Sequence, residues 1–128
     1  MSNKSRAFDW LLQAQVDGKF ANFGMQHSHF SQVCFIAQQA AEKAIKALAY
    51  DRDLDVKGHS ITIIAAKLKV NGEIEAAGRL LDQYYISARY PDFLPAGAPF
   101  QFISKNQAQR GPGKVMGCFR VCSKIFKY

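Results

Sequence analysis

Acid runs out early in this chain: of its 128 residues, none after Asp92 is an aspartate or glutamate. Residues 104–128 carry six lysines and arginines and no acid, whereas residues 1–103 hold eleven bases against ten acids. The formal charge of +7 therefore belongs to the end of the chain. The nearly neutral body gives no ground for reading the whole domain as a polyanion-binding surface. Cysteine is also scarce, with three residues. An odd number without framework spacing points to free thiols in a reducing compartment. No apolar run approaches the ~20 residues that cross a bilayer. The opening MSNKSRAFDW has no apolar signal core, so the expected compartment is the cytoplasm. His27, His29, Cys34, Cys118 and Cys122 lack the paired spacing of a structural zinc site, and no metal is expected. Gly111–Lys114 reads GPGK, but Val115 follows and the earlier glycine is missing, which excludes a phosphate-binding P-loop. No Ser-His-Asp or Cys-His signature is readable, and no catalytic residue is assigned.

What is present is helix. Hydrophobic residues make up 48% of the chain, enough for one core, and 128 residues fit one domain, 1–128, with 111–128 as an atypical basic tail. Apolar residues recur at steps of three and four from Ser5 to about Gln26, where Trp10, Leu11, Ala14, Val16 or Asp17, Phe20 and Phe23 are expected to face inward. Phe30 to Tyr50 forms a second helix whose alanines permit a close helix–helix approach. Ser60 reads as the N-cap of a short helix to Lys69. A fourth helix is expected from Glu73 to Ala88, stopped by Pro91. Pro91 to Pro99 then forms a loop, and a last helix begins near Ser104. There is no strand pattern, so the fold class is all-α, an up-and-down bundle of four to five helices.

Two stretches concentrate polar side chains that such a bundle can bring together. In AEKAIKALAY, Lys43 and Lys46 share a helix face and can present two ammonium groups to a phosphate; the plainer reading is a solvated face, with Glu42 pairing to Lys46 four residues on. In YYISARYPDFLP, Arg89 can hold a phosphate in a bidentate fashion, and Tyr85 or Tyr90 can stack on a base. The plainer reading is a cation favoured by a helix C-terminus, among core or interface aromatics. His59, between Gly58 and Ser60, either meets a phosphate or packs at a helix start.

In order, the strings CFIAQQAAEKAIKALAY, GHSITIIAAKL and LLDQYYISARYPDFLP, behind a tryptophan-bearing first helix, resemble the HEPN domain family. This is a helical module of prokaryotic proteins, similar also to the C-terminal domain of the animal protein sacsin. The likeness spans roughly residues 5–108. It implies a homodimer, association with minimal nucleotidyltransferases and, in some members, a nucleotide held in a polar cavity. Carried over by position, Lys43, Lys46, His59, Tyr85, Arg89 and Tyr90 would bind nucleotide or phosphate. ATP or GTP would be the ligand, and no cofactor is implied.

Other members of the family are RNA-cleaving toxins of toxin–antitoxin pairs. That branch depends on a late R-x(4–6)-H motif. Here His27, His29 and His59 all precede Arg89, and Arg52 with His59 has the spacing only on a connecting loop. The expectation is therefore a non-catalytic, nucleotide-binding or nucleotidyltransferase-associated module. An RNase toxin, which would also engage RNA, and a purely structural interaction partner are the alternatives. The tail departs from the family's pattern. It is either a basic arm for an acidic partner or RNA, or the product of a shifted reading frame near Arg110.

Overall fold

A computed structural model describes residues 3–70 and 72–110. Its first element, α1 (Asn3–Gln26), packs along α2 (Phe30–Asp51) in the most extensive helix contact of the protein. Three connecting residues force the two into an antiparallel hairpin. The small helices α3 (Ile61–Leu68), α4 (Glu73–Leu81) and α5 (Tyr84–Ser87) cover other sides of α2. A 3₁₀ turn, Pro91–Phe93, and the single-turn α6, Pro99–Phe102, follow. Helix resumes at 105–110, where Ser104 and Gln107 cap each other reciprocally. Among the described residues there is no strand. The charge-switched tail, 111–128, lies outside them.

α2 is the axis of the bundle. It is buried on almost every side, from Val33 and Cys34 through Ala37, Ala40, Ala41, Ala44, Ile45 and Leu48. Ile61, Ile64, Ile74 and Leu81 close the core from α3 and α4. Each such side chain contributes about 1.5–3 kcal/mol of burial. The same enclosure pushes the Cys34 thiol up to about 12, an effect only partly offset by a hydrogen bond with Tyr84. Two glycines permit close approach. A Cβ on Gly24 would lie 2.7 Å from Val33 Cγ2, and one on Gly78 would lie 2.9 Å from the Thr62 backbone nitrogen.

The inward face of α1 differs from the expected one. Ala7, Leu11, Ala14 and Ala21 are buried, and Trp10 is half-buried, but Val16, Phe20 and Phe23 are exposed. The alanine-rich flank of α2 selects this orientation: small residues at seven-residue spacing let the two backbones come close, whereas phenylalanines would hold them apart. The fourth helix is also interrupted. Asp82 and Gln83 keep helical dihedrals, but the Tyr85 amide bonds to the Asp82 carbonyl, three residues back, so a tightened turn separates α4 from α5.

Three helices end on a left-handed residue that is not glycine. Ser28, Asp53 and Lys69 have φ of 62°, 59° and 56°. In each case the next amide bonds five residues back: His29 to Gly24, Leu54 to Ala49, Val70 to Ala65. These are Schellman caps, which satisfy the terminal carbonyls.

Candidate functional site

The α2–α3 connection is clasped from two sides by carboxylates, and the candidate site grows out of that clasp. From the end of α4, Asp82 accepts hydrogen bonds from Ser60 Oγ (2.9 Å), the Ile61 amide (2.9 Å) and the Thr62 amide (3.0 Å). Ser60 itself caps α3 by accepting from the Ile63 amide at 3.1 Å. From α2, Glu42 reaches His59, its Oε1 lying 3.0 Å from Nδ1, while Oε2 lies 3.3 Å from Lys46 Nζ. Gln38, one turn earlier, donates to the His59 carbonyl at 2.8 Å. His59 is thus held by side chain and backbone alike. Its Nδ1–H donates to a carboxylate that can only accept, which sets the tautomer.

The Glu42–Lys46 pair at four residues' spacing exists, but not on a solvated face. Glu42 is 3% exposed and Lys46 is 8% exposed. Their surroundings decide this: α2 is covered by α1 on one side and by the 59–62 connection on another. The Lys46 ammonium also stands 5.8 Å from the Trp10 ring centroid. Tyr50 packs edge-on against Trp10; burial and then the Asp55 and Glu42 charges hold its phenol above the ordinary range.

Arg89 terminates the chain of contacts. His59 packs edge-on against the Tyr85 ring, with centroids 4.5 Å apart. The Arg89 guanidinium lies 4.8 Å from that same ring, 4.8 Å from Tyr90 and 4.3 Å from Phe35. Its Nε donates to the Tyr85 carbonyl at 2.7 Å, as a cation at a helix C-terminus does. Among the described residues no carboxylate pairs with Arg89. Tyr90 is half exposed. An open hollow of about 340 Å³ lies beside this chain, lined by His59, Ser60, Asp82, Gln83, Tyr85 and Phe93 among others.

Of the six residues expected to form one site, five are therefore connected: Lys46, through Glu42, to His59, Tyr85, Arg89 and Tyr90. Lys43 stands apart. Its ammonium pairs with Asp17 of α1 and borders a separate hollow of about 380 Å³ with Arg6, Asp9, Trp10 and Gln13. The Arg52–His59 spacing assembles no joint site, since Arg52 donates to the Leu68 carbonyl at 3.0 Å while His59 turns to Glu42. Reading by sequence missed Asp82, Gln38 and Phe35. Asp82 bonds a segment twenty residues upstream, and no local pattern signals that. Among the described residues no three of His, Cys, Asp and Glu group as a metal site would, and no helix is long and apolar enough to cross a membrane.

A helical bundle with a polar clasp beside an aromatic-framed arginine defines the class, and comparison with known proteins assigns it. The HEPN domain profile matches residues 7–122, past the span expected from the sequence strings. The chain belongs to the HEPN domain family. The crystal structure of TT1696 from Thermus thermophilus superposes with a TM-score of 0.87 at 32% identity, covering 93% of this chain and 97% of that one. ST0689, an archaeal HEPN homologue, superposes with a TM-score of 0.80 at 28% identity, covering 93% and 96%. A search of curated proteins gave no match.

Proposed function

We propose that this HEPN protein is a non-catalytic, homodimeric module that binds a nucleotide in the service of a partner nucleotidyltransferase. The observation that carries the reading is Arg89: a guanidinium oriented by a helix carbonyl and three aromatic rings, without a carboxylate to neutralise it among the described residues. A phosphate would take the arginine's remaining N–H groups, which suit paired oxygens. Tyr90, half exposed, and Tyr85 offer faces for a base. His59, whose Nδ1 is committed to Glu42, has Nε2 left for the ligand.

Lys46 and Lys43 enter this reading differently from Arg89. Lys46 is neutralised by Glu42 and Lys43 by Asp17, so each would have to leave a partner to reach a phosphate. Lys46 acts only through Glu42, and Lys43 borders the separate hollow; Arg89 supplies the charge. Titration calorimetry with ATP and GTP at millimolar concentration tests this. The expected result is binding heat with at least one nucleotide, abolished by Arg89→Glu and retained in Lys43→Glu. No heat above buffer with either nucleotide, or heat unaffected by Arg89→Glu, overturns the reading.

A further inference from the structure

The open hollow of about 340 Å³ beside Tyr85 differs in character from the arginine next to it. Among the described residues, none that lines it is a lysine or an arginine, and Asp82 brings a carboxylate. Its hydrogen-bond donors are largely used up inside the chain. Ser60 Oγ gives its hydrogen to Asp82 Oδ2, and Ser87 Oγ gives its hydrogen to the Gln83 carbonyl. The Gln83 amide nitrogen donates to the Leu80 carbonyl at 2.7 Å. His59 spends its Nδ1–H on Glu42. A hydroxyl or a neutral imidazole that has given its hydrogen away keeps lone pairs. The polar groups left for a ligand are therefore mostly acceptors: His59 Nε2, Ser87 Oγ and Gln83 Oε1.

Acceptors beside a carboxylate suit a group that donates, and they disfavour phosphate oxygens. Arg89 has the opposite preference. His59 and Arg89 pack on one ring, 4.5 and 4.8 Å from the Tyr85 centroid, so one ligand of nucleotide size reaches both. A nucleotide has this polarity: anionic oxygens at one end, ribose hydroxyls and the amine of the base at the other. Phe93, 60% exposed, adds an apolar wall to the hollow. Of the acceptors, His59 is the best fixed. Its side chain bonds to Glu42, its carbonyl accepts from Gln38, and its ring lies edge-on to Tyr85. A fixed acceptor rejects a ligand that lacks the matching donor, because the acceptor is then left unpaired.

We infer that this hollow takes the nucleoside end of the ligand and selects it by its donors, a ribose hydroxyl or the amine of the base, with His59 Nε2 as the accepting atom. The inference rests on the nucleotide reading above and names what that site recognises besides phosphate. Titration calorimetry on the full chain at about pH 8, where an imidazole is neutral, tests it. ATP is compared with its 2′-deoxy and 3′-deoxy forms and with purine riboside triphosphate, which lacks the amine. GTP is compared with its deoxy forms and with inosine triphosphate. For the nucleotide that binds, loss of the donor that meets His59 should weaken affinity on the order of fivefold. A deoxy form is the weak one if a hydroxyl is read, and the amine-free form if the base is. His59→Phe keeps a ring against Tyr85 but has no nitrogen. It should lower the parent nucleotide to the affinity of that weak analogue and leave the analogue itself unchanged, whereas a role in packing alone would weaken both alike. Analogues all within about twofold of the parent on the unaltered chain, equal losses for both ligands in His59→Phe, or discrimination that survives His59→Phe each overturn the assignment and leave nucleotide binding at Arg89 standing. No heat with either ATP or GTP overturns both.

Discussion

Glu42 and Asp82 hold the same stretch of chain, residues 59–62, but do so with different chemistry. Asp82 accepts two backbone amides and a hydroxyl at the start of α3, supplementing the Ser60 cap from a neighbouring helix. Two of these donors are backbone amides, present whatever the side chain, so Asp82 chiefly fixes the course of the chain. Glu42 instead holds two cationic or titratable side chains, Lys46 and His59, inside a bundle where an unpaired charge is costly. It sets the position of a ring that borders an open hollow. The contrast teaches that the two carboxylates are separable: one fixes where the connection runs, the other fixes what it presents.

Removing each in turn sharpens the contrast. Asp82→Ala has the largest expected effect, a loss of about 3 kcal/mol in denaturant unfolding, because three hydrogen bonds to a charged acceptor go at once. A loss below about 1 kcal/mol would mean that the Ser60 cap suffices alone. Glu42→Gln keeps the shape but strands Lys46, and should cost about 2 kcal/mol. Adding Lys46→Met should recover most of that, since an apolar side chain needs no counter-charge. The same calorimetry that tests nucleotide binding should show weaker affinity in this double variant, as His59 loses its charged anchor. Recovery of stability with unchanged affinity would make Glu42 architectural as well and break the comparison. The smallest effect is expected at the far end of α3. Lys69→Gly should stabilise by about 0.5–1 kcal/mol, because glycine adopts the left-handed cap without the Cβ clash; thermal melting measures it. Destabilisation there would mean that the lysine side chain contributes something the cap geometry does not show.

Much of the fold was legible along the chain because its signals are local. Ser60 capped the third helix as its hydroxyl requires, Glu73 opened the fourth, and Pro91 closed the helical region ahead of it. The ordered strings around Glu42, His59 and Arg89 carried the family resemblance. Less legible was the direction in which α1 faces. Its phenylalanines and its alanines both recur at helical spacing, so periodicity alone could not choose between them; the alanine flank of α2 did. The burial of Glu42 and Lys46 was likewise invisible, since a pair four residues apart looks the same on a wet helix and inside a bundle. The separation of Lys43 from Lys46 follows from Asp17, twenty-six residues away on another helix.

By itself the sequence determined that this protein is a helical bundle, because helix periodicity, caps and breakers act within a few residues of one another; its ordered strings carried the likeness to the HEPN family. Only the tertiary structure decided which charges are neutralised, that Arg89 sits among aromatic rings without a carboxylate among the described residues, and which face of α1 turns inward. Those properties depend on what lies within a few ångströms in space, and here the partners are contributed by helices distant along the chain.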